Sequence, residues 1–242
     1  KVMPSEDRKE DSVLQYLQPI PKSNKMVGSA AINIYQVSDE IIHMMNLAYK
    51  NIDDAFKQLI QFTSDRSDEI VKREDTVNIL NTEISDYISA ALANPNVNAN
   101  SSQALASFYL SLVHLERMSD YAKNINYQAR KGIQNRLSRE DQAIILEMAD
   151  LTSEGQEKIY DYKAMKAISR KAHARTHEWR QMQINEIKEN QLDSEAGIMM
   201  SRIFNDFLRI NDHAEDVAEE FDQIELDLNE DSIDQKAELQ QA

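Results

Sequence analysis

The chain has 242 residues, enough to bury an apolar core in one elongated helical domain or in two small bundles. It contains no cysteine, which excludes disulfides, thiolate metal sites and a cysteine nucleophile, so any metal must be held by oxygen or imidazole. Four Gly and four Pro beside 29% charged residues leave too few turn formers for a many-stranded sheet, and a formal charge of −15 leaves no Lys/Arg surplus for nucleic acid or broad contact with anionic lipid.

Residues 1–26 are charged, hold three of the four prolines and show no sustained period, which reads as a linker. Within it, Val13-Leu14-Gln15-Tyr16-Leu17 is a short docking segment. From Val27 to about Phe62, apolar residues recur at helical spacing through Ile32, Val37, Ile41, Met44, Met45, Ala48, Ile52, Phe56 and Ile60. A second helix is expected from Asp65 to about Asn94, with Pro95 beyond its end. After a short polar loop to Ser102, a third helix carries Leu105, Phe108, Leu112, Leu115, Met118, Ala122 and Ile125 in unbroken steps of three or four and ends near Gly132.

Ser138-Arg139-Glu140-Asp141 is a capping-box pattern, so a fourth helix starts there and runs toward Tyr162. A fifth covers roughly Lys163 to Gln191, and Asp193 or Ser194 caps a sixth that fades after Phe221 into an acidic tail. The third and sixth helices share a pattern, Leu115-Glu116-Arg117-Met118-Ser119-Asp120-Tyr121-Ala122 against Leu208-Arg209-Ile210-Asn211-Asp212-His213-Ala214. The expected fold is therefore all-α, two tandem antiparallel three-helix units at 27–134 and 135–224, with a tail at 225–242.

Glu116 and Asp120 lie four apart, one helical turn, where like charges cost about 0.2–0.5 kcal/mol unless a cation offsets them. Glu74 and Asn78 repeat that spacing on the second helix, with Asp75 adjacent, so two helices can converge oxygen ligands on a hard ion. The plain alternative is a solvated acidic stripe. His173 and His177 also sit four apart, the arrangement of a zinc-binding pair, but amid Lys166, Arg170, Lys171, Arg175 and Arg180 they read better as an ion-pairing face. Glu40-x-x-His43 matches half of a di-iron bundle element, and no second half is found. Trp179 and Met44, Met45, Met199 and Met200 read as packing. No Ser–His–Asp set and no Gly-rich phosphate loop is legible, so the chain is not read as an enzyme.

Leu115 to Ile125 resembles the PhoU signature, in which a Glu and an Asp four residues apart follow a Leu and precede an Asn-Ile pair. Asn211-Asp212-His213-Ala214 with Ala218-Glu219 is similar to its second copy, Glu74 to Ile84 to the second-helix stretch and Asp39 to Met44 to the first. The resemblance covers about Val27 to Phe221. It implies paired three-helix bundles that bind metal through these acids and act in phosphate signalling beside transporters. The implied ligands are Glu116, Asp120, Glu74, Asp75 and Asp212, holding a divalent or trivalent ion, whether iron, manganese, magnesium or zinc. Asn78 stands where an Asp is typical, Leu208 where Glu116 has its counterpart, and Ser169-Arg170-Lys171-Ala172-His173 where acids are expected, so the second cluster should be degenerate.

Leu14-Gln15-Tyr16-Leu17-Gln18-Pro19 is similar to the segment that joins the membrane part of sodium/phosphate cotransporter family proteins to their C-terminal PhoU-like domain. That resemblance, with a start at Lys1 and no apolar run of about 18 residues, implies a regulatory domain of a sodium-dependent phosphate transporter. It would lie on the cytoplasmic side of the inner membrane as the soluble part of an integral membrane protein. Its partners would be the membrane transporter region of the same chain and a second copy in a homodimer, with no nucleic acid and no small-molecule substrate. The alternative is a free-standing PhoU-like adaptor that contacts a sensor kinase or an ATP-driven phosphate transporter.

Overall fold

Long stretches of helix-compatible sequence, separated by short connecting segments, become six α-helices among the described residues, with no strand. The computed structural model describes residues 13–17, 34–93, 95, 97–188 and 194–241, with side chains to residue 225. The helices are α1 (Ile34–Ile60), α2 (Ser64–Leu92), α3 (Ala99–Arg130), α4 (Arg139–Glu157), α5 (Tyr162–Lys188) and α6 (Ser194–Gln241), with a 3-10 turn at Ile133–Asn135. Residues 27–33, expected to open the first helix, and Asp193 lie outside the described residues.

Local chemistry sets the boundaries. Between α1 and α2 the buried Gln58 amide mimics a backbone pair, its Nε2 donating to the Thr63 carbonyl at 2.6 Å and its Oε1 accepting from the Thr63 N–H at 2.7 Å. The first helix thus ends at Ile60 rather than Phe62. The third begins earlier than expected, because Asn98 Oδ1 accepts from the Ser101 N–H at 2.7 Å and caps it. Gly132 terminates it with φ +82°, a left-handed conformation that costs glycine little, while its N–H bonds the Ala129 carbonyl. The Ser138–Asp141 capping box forms as read. Asp161 Oδ1 accepts from the Ala164 N–H and starts α5, which splits α4 from α5 at residues 158–161. The last helix continues through the stretch expected as an acidic tail.

Side-chain pairs give the directions. Asn51 donates to Ser119 Oγ at 2.9 Å, so α1 and α3 lie side by side, and Arg73 reaches Asn51 and the buried Asp54 from α2. Arg130 with Asp68 and Lys123 with Glu74 run α2 and α3 antiparallel. Glu147 with Arg175 and Glu154 with Lys171 do the same for α4 and α5, as His173 with Asp212 and Arg180 with Asn205 do for α5 and α6. The broadest packing joins α3 to α6, also antiparallel: His114 in α3 lies beside His213, and Arg136, just past the 3-10 turn that follows α3, pairs with Glu195 at the start of α6.

One apolar core runs through both halves. Leu105, Leu112, Leu115, Met118, Ala122 and Ile125 are fully buried and Phe108 nearly so, as their spacing requires. Met44, Met45, Met199 and Met200 are buried too. Trp179 packs in the core against Phe204 and Phe207, with ring centroids 6.1 and 5.8 Å away, and the Arg175 guanidinium lies 5.5 Å from its ring.

Candidate functional site

The helix pair α2–α3 brings three of the five acids singled out by sequence to one level. Glu74 is 2% exposed and commits both oxygens, one to Asn78 Nδ2 at 2.8 Å and one to Lys123 Nζ at 2.6 Å. Glu116 and Asp120, one turn apart on α3, face it half-buried. Burial pushes the Asp120 carboxyl above its ordinary range, and its hydrogen bond to Glu74 and that residue's charge push it further. Burial likewise raises Glu116, as does the Asp120 charge. For Glu74 burial also opposes ionisation, but the hydrogen bonds from Lys123 and Asn78 outweigh it and hold the carboxyl low. The two neighbouring carboxyls are thus pushed in opposite directions, Glu74 down and Asp120 up.

Two cations border these acids. Arg117 reaches Glu116 at 3.4 Å and Asp120 at 3.5 Å, and Lys123 closes the other side through Glu74. Asp75 is exposed on the rim and acts on Lys123 only by its charge. The carboxyls of Glu116, Asp120 and Glu74 follow one another along the helix pair, two of them raised by burial and by neighbouring negative charge, with Glu116 and Asp120 the accessible ones; among the described residues their oxygens do not gather to a common point as a three-ligand cation site requires. Glu74 would join only by releasing Lys123.

Asp212 lies elsewhere. Its Oδ1 lies 2.7 Å from His173 Nε2 of α5 and its Oδ2 lies 3.7 Å from Arg209, so this carboxylate is already engaged by basic side chains. His173 is thereby a hydrogen-bonding partner of this acid, and His177 stands exposed one turn on.

Glu40, with His43, anchors the lead-in segment. The fully buried carboxylate accepts the backbone N–H groups of Gln15, Tyr16 and Leu17 at 2.9, 2.7 and 3.0 Å through Oε2. Gln15 Nε2 donates to His43 Nε2 at 3.0 Å, which leaves the His43 proton on Nδ1, 3.0 Å from Glu40 Oε1. Leu17 is buried against the core, and Val13 and Leu14 pack on it. The docking segment is therefore held as the sequence reading expects; the rest of 1–26 lies outside the described residues.

Sequence reasoning missed one constellation, His114 on α3 with His213 and Asp216 on α6. Tyr121 stacks on His213 at 5.8 Å with an interplanar angle of 18°. Burial, then the neighbouring His114, holds the His213 imidazole below its ordinary value. The i,i+3 spacing of His213 and Asp216 was visible, but nothing local marks His114 as their neighbour.

Residues 41–129 match the family model described as the PhoU domain. No curated protein sequence matches the chain. The fold is similar to the crystal structure of PhoU from Pseudomonas aeruginosa, with a TM-score of 0.69 at 18% identity over 79% of this chain and 96% of that one. It is also similar to that of the phosphate transport system regulatory protein PhoU from Streptococcus pneumoniae, with a TM-score of 0.67 at 16% identity over 79% of this chain and 94% of that one. The all-helical PhoU fold is thus shared across nearly the whole of both relatives, and no described helix is long and apolar enough to cross a membrane.

Proposed function

We propose that this chain is a PhoU-like regulatory domain of phosphate transport, acting by binding rather than by catalysis. The observation that carries the reading is that the stretch matched to the PhoU domain, 41–129, contains Glu74, Glu116 and Asp120, and that α2 and α3 bring these acids together. In this reading 27–134 and 135–224 are two three-helix units joined along α3 and α6. Glu116 and Asp120 are the principal ligands of a metal ion, with Glu74 behind them and Asp75 on the rim, while Asp212 is the remnant of a second site. A bound cation would neutralise the acids on α3 and free Lys123, altering how α2 and α3 pack.

The finer reading is a domain carried by a sodium-dependent phosphate transporter at the cytoplasmic face of the inner membrane, with 1–26 as the connection and a homodimer as the assembly. Support comes from Glu40, whose only described backbone partners are Gln15, Tyr16 and Leu17, at the point where such a connection would meet the bundle. The second reading, a free-standing adaptor to a sensor kinase or an ATP-driven phosphate transporter, is favoured by coverage, since the chain spans 96% and 94% of two PhoU proteins. Cross-linking the tagged chain in its own cells and identifying what it holds tests both. A phosphate transporter, on the same polypeptide or as a separate subunit, is the expected partner; cross-links only to proteins unconnected with phosphate would overturn the proposal.

A further inference from the structure

The three polar side chains that meet where α3 crosses α6 are joined by one atom each. His114 Nδ1 lies 3.0 Å from His213 Nδ1 and 3.2 Å from Asp216 Oδ2, and His213 Nδ1 lies 3.6 Å from that same oxygen. Hydrogen bonding accounts for only part of this triangle: with both rings neutral and the carboxylate ionised, one His114 Nδ1–H can be shared between His213 and Asp216, while the third edge, at 3.6 Å, sets two lone pairs against each other. An ion with bonds of about 2.0–2.1 Å to imidazole and carboxylate, by contrast, holds tetrahedral ligands about 3.3 Å apart. The three observed separations bracket that value.

We propose that His114 Nδ1, His213 Nδ1 and Asp216 Oδ2 bind a divalent transition-metal ion of the zinc class, which ties α3 to α6. Two imidazoles and a carboxylate favour zinc, copper, nickel or cobalt over magnesium and calcium. The ligands arise from two helices whose sequence positions are 99 apart, so the ion would fasten the two halves of the molecule rather than a single turn. Tyr121, stacked on His213, orients one ligand ring from α3. Side-chain exposures of 23%, 21% and 46% for His114, His213 and Asp216 leave an entry path and room for water at the fourth position. The proposal is independent of the carboxylate site near Glu116, which suits a different class of ion.

The test is a titration of the chelator-stripped chain with Co²⁺, whose tetrahedral complexes absorb in the visible while octahedral carboxylate complexes barely do. One equivalent of Co²⁺ should give the tetrahedral band, Zn²⁺ should abolish it, and excess Mg²⁺ should not. His114→Gln, and separately Asp216→Asn, should weaken binding by more than the about 10–100-fold typical of losing an outer-shell partner. Glu116→Gln combined with Asp120→Asn should leave the band intact. Far-UV circular dichroism establishes that each variant is folded. No tetrahedral band in the unaltered chain, or a band that persists in folded His114→Gln and Asp216→Asn, would overturn the proposal and leave a hydrogen-bonded trio only.

Discussion

Glu40 keeps its charge at 0% exposure because three backbone N–H groups and His43 surround it. Burial alone would raise its carboxyl; the His43 and backbone hydrogen bonds reverse that and hold it below the ordinary 4.5. Docking of residues 13–17 should therefore be complete above pH 4.5 and lost as pH falls through the lowered value. Glu40→Gln should weaken the dock by roughly 1.5–3 kcal/mol, the range for hydrogen bonds to charged groups. Amide exchange at Gln15, Tyr16 and Leu17 should then quicken about tenfold or more; unchanged exchange would refute the anchoring role. Asp206 has the opposite sign, since burial lifts its carboxyl to about 7 while Arg202 only partly opposes this. Stability from the neutral form is full below 3.8 and lost as pH rises through about 7. Asp206→Asn should thus stabilise the fold by roughly 1–3 kcal/mol at pH 8 and leave it unchanged at pH 3.5, as urea unfolding at the two pH values would report. At this scale the Glu116–Asp120 spacing was legible, whereas Lys123 at Glu74 was not, because that ion pair spans two helices and 49 positions.

Among the elements, α3 was the most legible, since seven apolar residues at helical steps admit only one buried face. Leu112→Ala or Leu115→Ala, each at a fully buried site, should cost about 2–5 kcal/mol in denaturant unfolding. A loss below about 1 kcal/mol would mean that the helix does not pack on this face. Boundaries were read less well where a side chain acts at a distance, as Gln58 does at Thr63 and Asp161 at the start of α5. The Ser138 cap was legible because both partners sit within one turn, and Ser138→Ala should cost about 1 kcal/mol. On the fifth helix Trp179 was legible as a packing residue and is buried, whereas the burial of Ala172 and Thr176 among its basic side chains was not, because small or polar residues carry little apolar signal.

For the whole molecule, the repeated pattern in α3 and α6 already pointed to two related helices, and the fold sets them antiparallel as its widest contact. That contact creates the His114–His213–Asp216 trio, which no reading of either helix alone supplies. The acids near Glu116 predict a separate response to hard ions. Saturating Mg²⁺ or Mn²⁺ should raise the melting temperature, by about 2.7 kcal/mol of stability at 100 times Kd, and Glu116→Gln with Asp120→Asn should remove the Mg²⁺ response. A melting temperature that ignores both ions would leave these acids as a surface cluster. The central claim, that the chain regulates phosphate transport, is tested most directly by initial rates of phosphate uptake. These would be measured across external phosphate concentrations in cells of the source organism with and without residues 34–225. The account predicts that removing the domain changes how uptake responds to external phosphate while sodium-independent uptake of an unrelated solute stays the same. Superimposable phosphate curves in the two strains would contradict it.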